Sequence, residues 1–149
     1  MQYLCARHQK VLLGDRQQAA SLWQGAMSNG GVARRDGNLT LARSFYGTAF
    51  EIALLHVHQQ GSGDRVFDRN KLISAGLCLG EVLRVLQLWS EADGCHRLLR
   101  DYLMIVIGDE SLPEKDRQQA IDVLNSLRQP TSENDFNAIC AGSMSTVMH

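Results

Sequence analysis

The side chains in this sequence that could bind a metal or haem include its four cysteines and five histidines. Cys5 and His8 stand three residues apart, a spacing that places both on one face of a helix. His56 and His58 stand two apart, so on a helix they point in different directions and would chelate one ion poorly. Thiolates and imidazoles bind zinc and haem iron. A helical metal- or haem-binding sensor built from Cys5, His8, His56 and Cys95 is therefore the alternative functional hypothesis, although no spacing requires it.

The motifs that usually mark catalysis are absent from the sequence. It contains no C-x-x-C pair, no G-x-G-x-x-G, no phosphate-binding G-x-x-x-x-G-K-[ST], no H-E-x-x-H and no G-x-S-x-G. The scattered cysteines are most simply explained as reduced thiols packed in or near the core. The sequence thus predicts no enzyme activity and no cofactor.

Length and charge restrict the possible partners. The 149 residues suit one domain, and a formal charge of −1 argues against a general nucleic-acid binder. The longest apolar run, YLMIVI at 102–107, is too short to span a bilayer. The first ten residues lack the apolar stretch of a secretory signal. We therefore expect a cytoplasmic protein with no membrane partner.

The elements that must position these residues are predicted to be helices. There are only two prolines and no convincing alternation of apolar and polar residues, which favours an all-α fold. Asp15 and Asn38 are suitable N-caps, and Ser111 with Glu114 forms a capping-box pattern. The predicted helices cover about 2–13, 15–28, 38–59, 68–86, 89–107 and 112–128. A loop is predicted at 60–67, and residues 130–149 are predicted to be a flexible or loosely docked tail after a domain at 1–129.

One register of small and aromatic residues recurs after a glycine. Counting from Gly14 and from Gly37, alanine stands at +5, an aromatic residue at +9 and alanine again at +12. The residues concerned are Ala19, Trp23 and Ala26 in one copy, and Ala42, Tyr46 and Ala49 in the other. Small residues flanking a ring let two helices approach closely, and glycine suits the preceding tight turn. The register predicts the second helix of a helix-turn-helix hairpin.

This register resembles that of the tetratricopeptide repeat. The fullest match covers 73–106, where Leu79-Gly80, Leu83, Trp89 and Ala92 stand at the family's positions and Gln87 replaces the turn glycine. Register starts at 14, 37, 87 and 115 depart from a steady 34-residue period. The resemblance implies stacked antiparallel helical hairpins that hold a peptide or partner protein on a concave surface, with no catalytic residues. A compact helical bundle is the alternative architecture.

By the same resemblance, the groove side of the best-matched repeat carries Ser74, Leu77, Glu81 and Arg84. This mixture differs from a cluster of basic residues that would clamp a terminal carboxylate. It favours an amphipathic helix or an extended segment as the ligand. The predicted function is that of a small adaptor, regulator or chaperone that binds a protein partner at equilibrium.

A second surface is predicted from the run at 102–107, which is apolar on every side of a helix. Tyr102, Leu103, Ile105 and Val106 would form a homodimer contact if one helix pair left them uncovered. The alternative is that the sixth helix covers them, because it follows directly in the chain.

Overall fold

The computed structural model describes residues 3–58 and 65–128. Within these ranges the protein contains α-helices and no strand, so the predicted all-α class is confirmed. The helices are α1 (Ala6–Gly14), α2 (Arg16–Arg35), α3 (Leu39–His58), α4 (Arg65–Val85), α5 (Trp89–Gly108) and α6 (Glu114–Arg128). In the part of the chain that is described, no helix combines the length and apolar character needed to cross a membrane. The predicted tail at 130–149 lies outside the described residues.

Consecutive helices pack against one another from α2 to α6, and this order is consistent with stacked hairpins. α3 lies between α2 and α4, and α4 lies between α3 and α5. The inner helices bury side chains on two sides, which is why their sequences carry apolar residues on more than one face. α1 contacts both α2 and α3, but much less extensively.

The start of α1 and the end of α2 differ from the prediction. α1 begins at Ala6, because Tyr3 and Leu4 form a non-helical strap on α3. α2 continues through SNGG to Arg35, although these residues were predicted to end it. An added Cβ on Gly30 would stand 2.7 Å from the buried ring of Tyr46. The glycine therefore serves a close helix–helix approach instead of a turn.

The α2–α3 and α4–α5 turns have the same backbone structure. Gly37 and Gln87 both have positive φ, at 81° and 61° respectively. The amide of each donates to a carbonyl three residues earlier, and the next amide donates to one five residues earlier. This is the Schellman arrangement that satisfies the last carbonyls of a helix. Gln87 thus occupies a position for which glycine is the usual residue.

α4 forms the centre of the core, and every residue from 71 to 83 is buried. Its close approach to both neighbours depends on Gly76, where an added Cβ would lie 3.1 Å from Phe50 and 3.2 Å from Leu99. Helix α4 begins at Arg65, so it starts within the loop predicted at 60–67. The remainder of that prediction falls on 59–64, outside the described residues.

Candidate binding groove

A cavity of about 460 Å³ opens between α1, α2 and α3. We call this cavity the binding groove. Its walls are mostly apolar or small, and none of the lining residues is Asp, Glu, Lys or Arg. The lining residues are Leu4, His8, Val11, Leu12, Gln18, Ser21, Leu22, Gly25, Ala26, Asn29, Phe45, Thr48 and Ile52. A cavity of this size and polarity is typical of a binding site.

A row of short residues runs along the α2 wall of the binding groove. Ser21, Gly25 and Asn29 recur every four residues, which places them in one row along the helix. An added Cβ on Gly25 would meet nothing within 4 Å, so the space beside this row is open. Leu22 stands next to the row and is 47% exposed. The wall therefore presents a flat strip beside an exposed apolar side chain.

The strap of Tyr3 and Leu4 is fixed to α3 by one carboxylate. The backbone N–H groups of both residues donate to Glu51 Oε2, at 2.6 and 2.5 Å. Burial raises the pKa of Glu51 and outweighs the two hydrogen bonds, which act in the opposite direction. The side chain of Leu4 is buried and forms part of the groove wall.

The ring of Tyr3 lies in a pocket that we call the Tyr3 cradle, formed by Arg43, Gly47 and Glu51 of α3 and Glu91 of α5. A Cβ on Gly47 would overlap the ring, so only glycine leaves room for it. The Arg43 guanidinium lies 5.7 Å from the ring centroid, and the hydroxyl donates to Glu91 Oε2 at 3.3 Å. Burial, with Glu91 adding to it, raises the pKa of Tyr3 to about 12 against the opposing effect of Arg43. The cradle therefore holds a neutral tyrosine.

Arg43 and Glu91 are paired with each other as well as with the ring. The guanidinium Nη2 donates to Glu91 Oε1, and Nε donates to Oε2 at 3.3 Å. This hydrogen-bonded arginine lowers the pKa of Glu91, so the carboxylate stays charged. The ion pair joins α3 to α5 beneath the tyrosine hydroxyl.

The four residues of the metal hypothesis lie in three different places. Cys5 Sγ and His8 Nδ1 are 3.3 Å apart at the exposed start of α1. His56 is buried near the start of α4, whereas the Cys95 thiol donates to the carbonyl of Gly76 at 3.5 Å. Burial raises the pKa of Cys95 to about 12, which disfavours the thiolate that a metal needs. Among the described residues, no three His, Cys, Asp or Glu side chains are grouped to hold a metal.

The positions predicted to line a groove on α4 are mostly enclosed. Ser74, Leu77 and Glu81 are buried, and Arg84 is partly buried. Glu81 is paired with Arg34, which reaches across from α2. These positions were expected to face an open groove, but most of them are buried. The reason is that α4 packs between α3 and α5, and Arg34 of α2 reaches across to Glu81.

A buried ionic cluster lies at the start of α4. Asp68 accepts a hydrogen bond from Arg16 at 2.7 Å, and its other oxygen lies 3.8 Å from His56 Nδ1 and 4.0 Å from Lys71 Nζ. Lys71 stands 5.8 Å from the ring centroid of Trp23. Burial, followed by the charge of Lys71, lowers the pKa of His56. Since the carboxylate and the lysine are both buried, removing either one would leave the other charge poorly compensated in the core.

The predicted self-association surface divides between the core and the exterior. Leu103 and Val106 are buried, and Tyr102 packs partly against the core. Ile105 is 66% exposed, and Met104 beside it is also exposed. α6 packs on α5, so it covers one side of the run only.

The sequence prediction missed the binding groove and the Tyr3 cradle. Gly25 and Gly47 were the available signals, since glycine inside a helix costs stability and marks a place where something approaches closely. Which approach each glycine serves depends on contacts between distant residues.

Comparison with family models, with curated proteins and with solved structures finds no match for this chain.

Proposed function

We propose that this protein is an interaction module that binds an amphipathic helix of a partner protein in the binding groove. The observation that carries the proposal is the open, uncharged cavity between α1, α2 and α3. Uncharged walls favour an apolar face over a charged one, because a buried unpaired charge would be costly. The partner would bury a few apolar side chains and keep its charged face in water.

Two features favour a helix over an extended segment as the ligand. The row formed by Ser21, Gly25 and Asn29 has the four-residue spacing into which the ridge of another helix packs. α1 already lies against the same two helices, so a helix fits this surface. Extended ligands usually add to a sheet edge, and the described residues form only helices. Binding at equilibrium, with no bond made or broken, is the proposed mode of action.

The resemblance to the tetratricopeptide repeat supports the same class of function. We propose a diverged helical repeat, in which helices of 20 or 21 residues build hairpins longer than the 34-residue unit. Adaptor, regulator and chaperone roles are all compatible with this mode of binding.

A photo-crosslinking amino acid in place of Leu22 would identify the partner in cells of the natural source. The affinity of that polypeptide for the purified protein would then be measured for Leu22→Arg and Leu41→Arg. Leu41 is the matched control, because it is 44% exposed but lies outside the groove. We expect Leu22→Arg to weaken binding at least tenfold, about 1.4 kcal/mol or more, and Leu41→Arg to have little effect. Equal affinities, or a bound apolar small molecule with no polypeptide partner, would contradict the proposal.

A further inference from the structure

The strap and α1 are attached to the rest of the protein very unequally. Tyr3 and Leu4 make specific contacts with α3 and α5, through two backbone hydrogen bonds, a ring pocket and a hydroxyl. α1 itself buries only Leu12 and contacts α2 and α3 sparsely. Residues 3–14 thus resemble a short peptide ligand, anchored at one end and lying loosely along a groove.

The residues that hold the strap recognise chemical features that a different peptide can also carry. Glu51 accepts hydrogen bonds from two consecutive backbone N–H groups. It therefore recognises the main chain of a peptide and not a particular side chain. The space over Gly47 and the neighbouring Arg43 select an aromatic ring, and the Glu91 carboxylate accepts a phenolic hydroxyl. Leu4 is buried beside them, which favours an aliphatic residue after the tyrosine.

We propose that the Tyr3 cradle is a peptide-binding site, and that residues 3–14 occupy it in cis as a displaceable competitor of the partner. The ligand class is a tyrosine followed by an aliphatic residue, placed just before a short amphipathic helix. This inference rests on the proposed function, because displacing residues 3–14 removes the α1 wall of the binding groove and leaves the α2 and α3 walls, Leu22 included, for the partner helix. The partner binds with lower affinity than it would to an unoccupied cradle, because displacing the strap costs free energy.

The test uses a labelled synthetic peptide of residues 1–14, with its own cysteine changed to serine, and fluorescence anisotropy. Tyr3→Ala in the protein removes the ring and hydroxyl from the cradle without altering its walls, while the backbone contacts to Glu51 and the Leu4 side chain are retained. We expect the peptide to bind the Tyr3→Ala protein at least tenfold more tightly than the unmodified protein, in which the tethered strap competes at high effective concentration. A peptide that carries Tyr3→Ala should bind the Tyr3→Ala protein at least tenfold more weakly than the peptide that keeps its tyrosine.

A second substitution tests whether the cradle itself is the binding site. In the Tyr3→Ala protein, adding Gly47→Ala should weaken peptide binding at least tenfold, because the new Cβ fills the space of the ring. Gly94→Ala is the matched control, since an added Cβ there meets nothing within 4 Å. Equal binding by the Gly47→Ala and Gly94→Ala proteins would overturn the inference, as would equal binding of the peptides with and without tyrosine.

Proteolysis supplies a readout that does not depend on the Tyr3→Ala protein. In the otherwise unmodified chain, Gly47→Ala should expel the strap and speed tryptic cleavage after Arg7 and Lys10 at least tenfold, whereas Gly94→Ala should not. Unchanged cleavage would show that the strap does not occupy the cradle in cis.

The proposed function and this inference can fail independently of each other. A partner sensitive to Leu22→Arg but indifferent to Tyr3→Ala refutes only this inference, whereas peptide binding with no Leu22-dependent partner refutes the proposed function.

Discussion

Glycines inside the helices of this protein differ in what they do, and the difference is visible only from their neighbours. Gly25 and Gly30 stand five residues apart in α2, yet one faces the open binding groove and the other faces the Tyr46 ring. Helix propensity alone treats them alike, since alanine is favoured over glycine by about 0.5–1 kcal/mol at either position. The packing around each residue therefore decides whether alanine is tolerated.

Gly30→Ala is expected to lower the free energy of unfolding by about 1–3 kcal/mol, because the added Cβ would stand 2.7 Å from the buried ring of Tyr46 and one of the two must shift. Gly25→Ala should raise it by about 0.5–1 kcal/mol, since propensity acts there unopposed. Urea denaturation followed by circular dichroism measures both. A Gly30→Ala protein as stable as the Gly25→Ala protein would show that the helices separate at little cost.

At the scale of the elements, the two central hairpins repeat one turn with two different residues. Gly37 and Gln87 close α2 and α4 with the same pair of hydrogen bonds and with positive φ. The left-handed conformation costs a residue with a side chain about 1–2 kcal/mol. Glycine avoids that cost but loses about 0.5–1 kcal/mol through its greater freedom in the unfolded chain. The α4–α5 turn is therefore the more strained of the two.

Gln87→Gly should accordingly stabilise the protein by about 0.5–1 kcal/mol, and Gly37→Gln should destabilise it by a similar amount, because the two terms above partly cancel. Thermal and urea unfolding of the two variants would measure the effects. Stability changes of the same sign in both would contradict the equivalence of the turns.

At the scale of the whole molecule, ion pairs brace helices that are not consecutive in the chain. Each pair joins a helix to the next but one, across the helix that lies between them in sequence. The pairs are Arg16–Asp68, Arg34–Glu81, Arg43–Glu91 and Arg69–Asp116. Because Asp68 and Glu81 are buried, removing Arg16 or Arg34 would take a charge-assisted hydrogen bond from a carboxylate in the core. These pairs therefore help to set the spacing of alternate helices.

Buried His56 and half-buried His96 make the stability of the whole fold depend on pH. The pKa of His56 is lowered by burial and then by Lys71, and that of His96 is lowered by burial and then by Arg84. In the unfolded chain both recover a pKa near 6.5, so below that pH the unfolded state binds protons that the folded state does not. The free energy of unfolding should therefore fall as the pH is lowered from about 7 towards 5.

Urea unfolding across this range would measure the dependence. His56→Gln and His96→Gln should each reduce the slope of stability against pH, and the double variant should reduce it further. A slope that is the same in the double variant as in the unmodified protein would show that other groups cause the dependence.

The sequence by itself determined the all-α class, the six helices of the described residues and most of their ends, because caps, prolines and apolar periodicity act over a few residues. It also indicated the two-sided burial of the inner helices, since apolar residues on two faces require two packing partners. Tertiary structure decided the rest. The burial of Ser74 and Glu81, the course of α2 through Gly30 and the seating of Tyr3 over Gly47 each depend on side chains far away in the chain. Local patterns do not record which distant surface meets which, so the candidate site became visible only when the helices were packed.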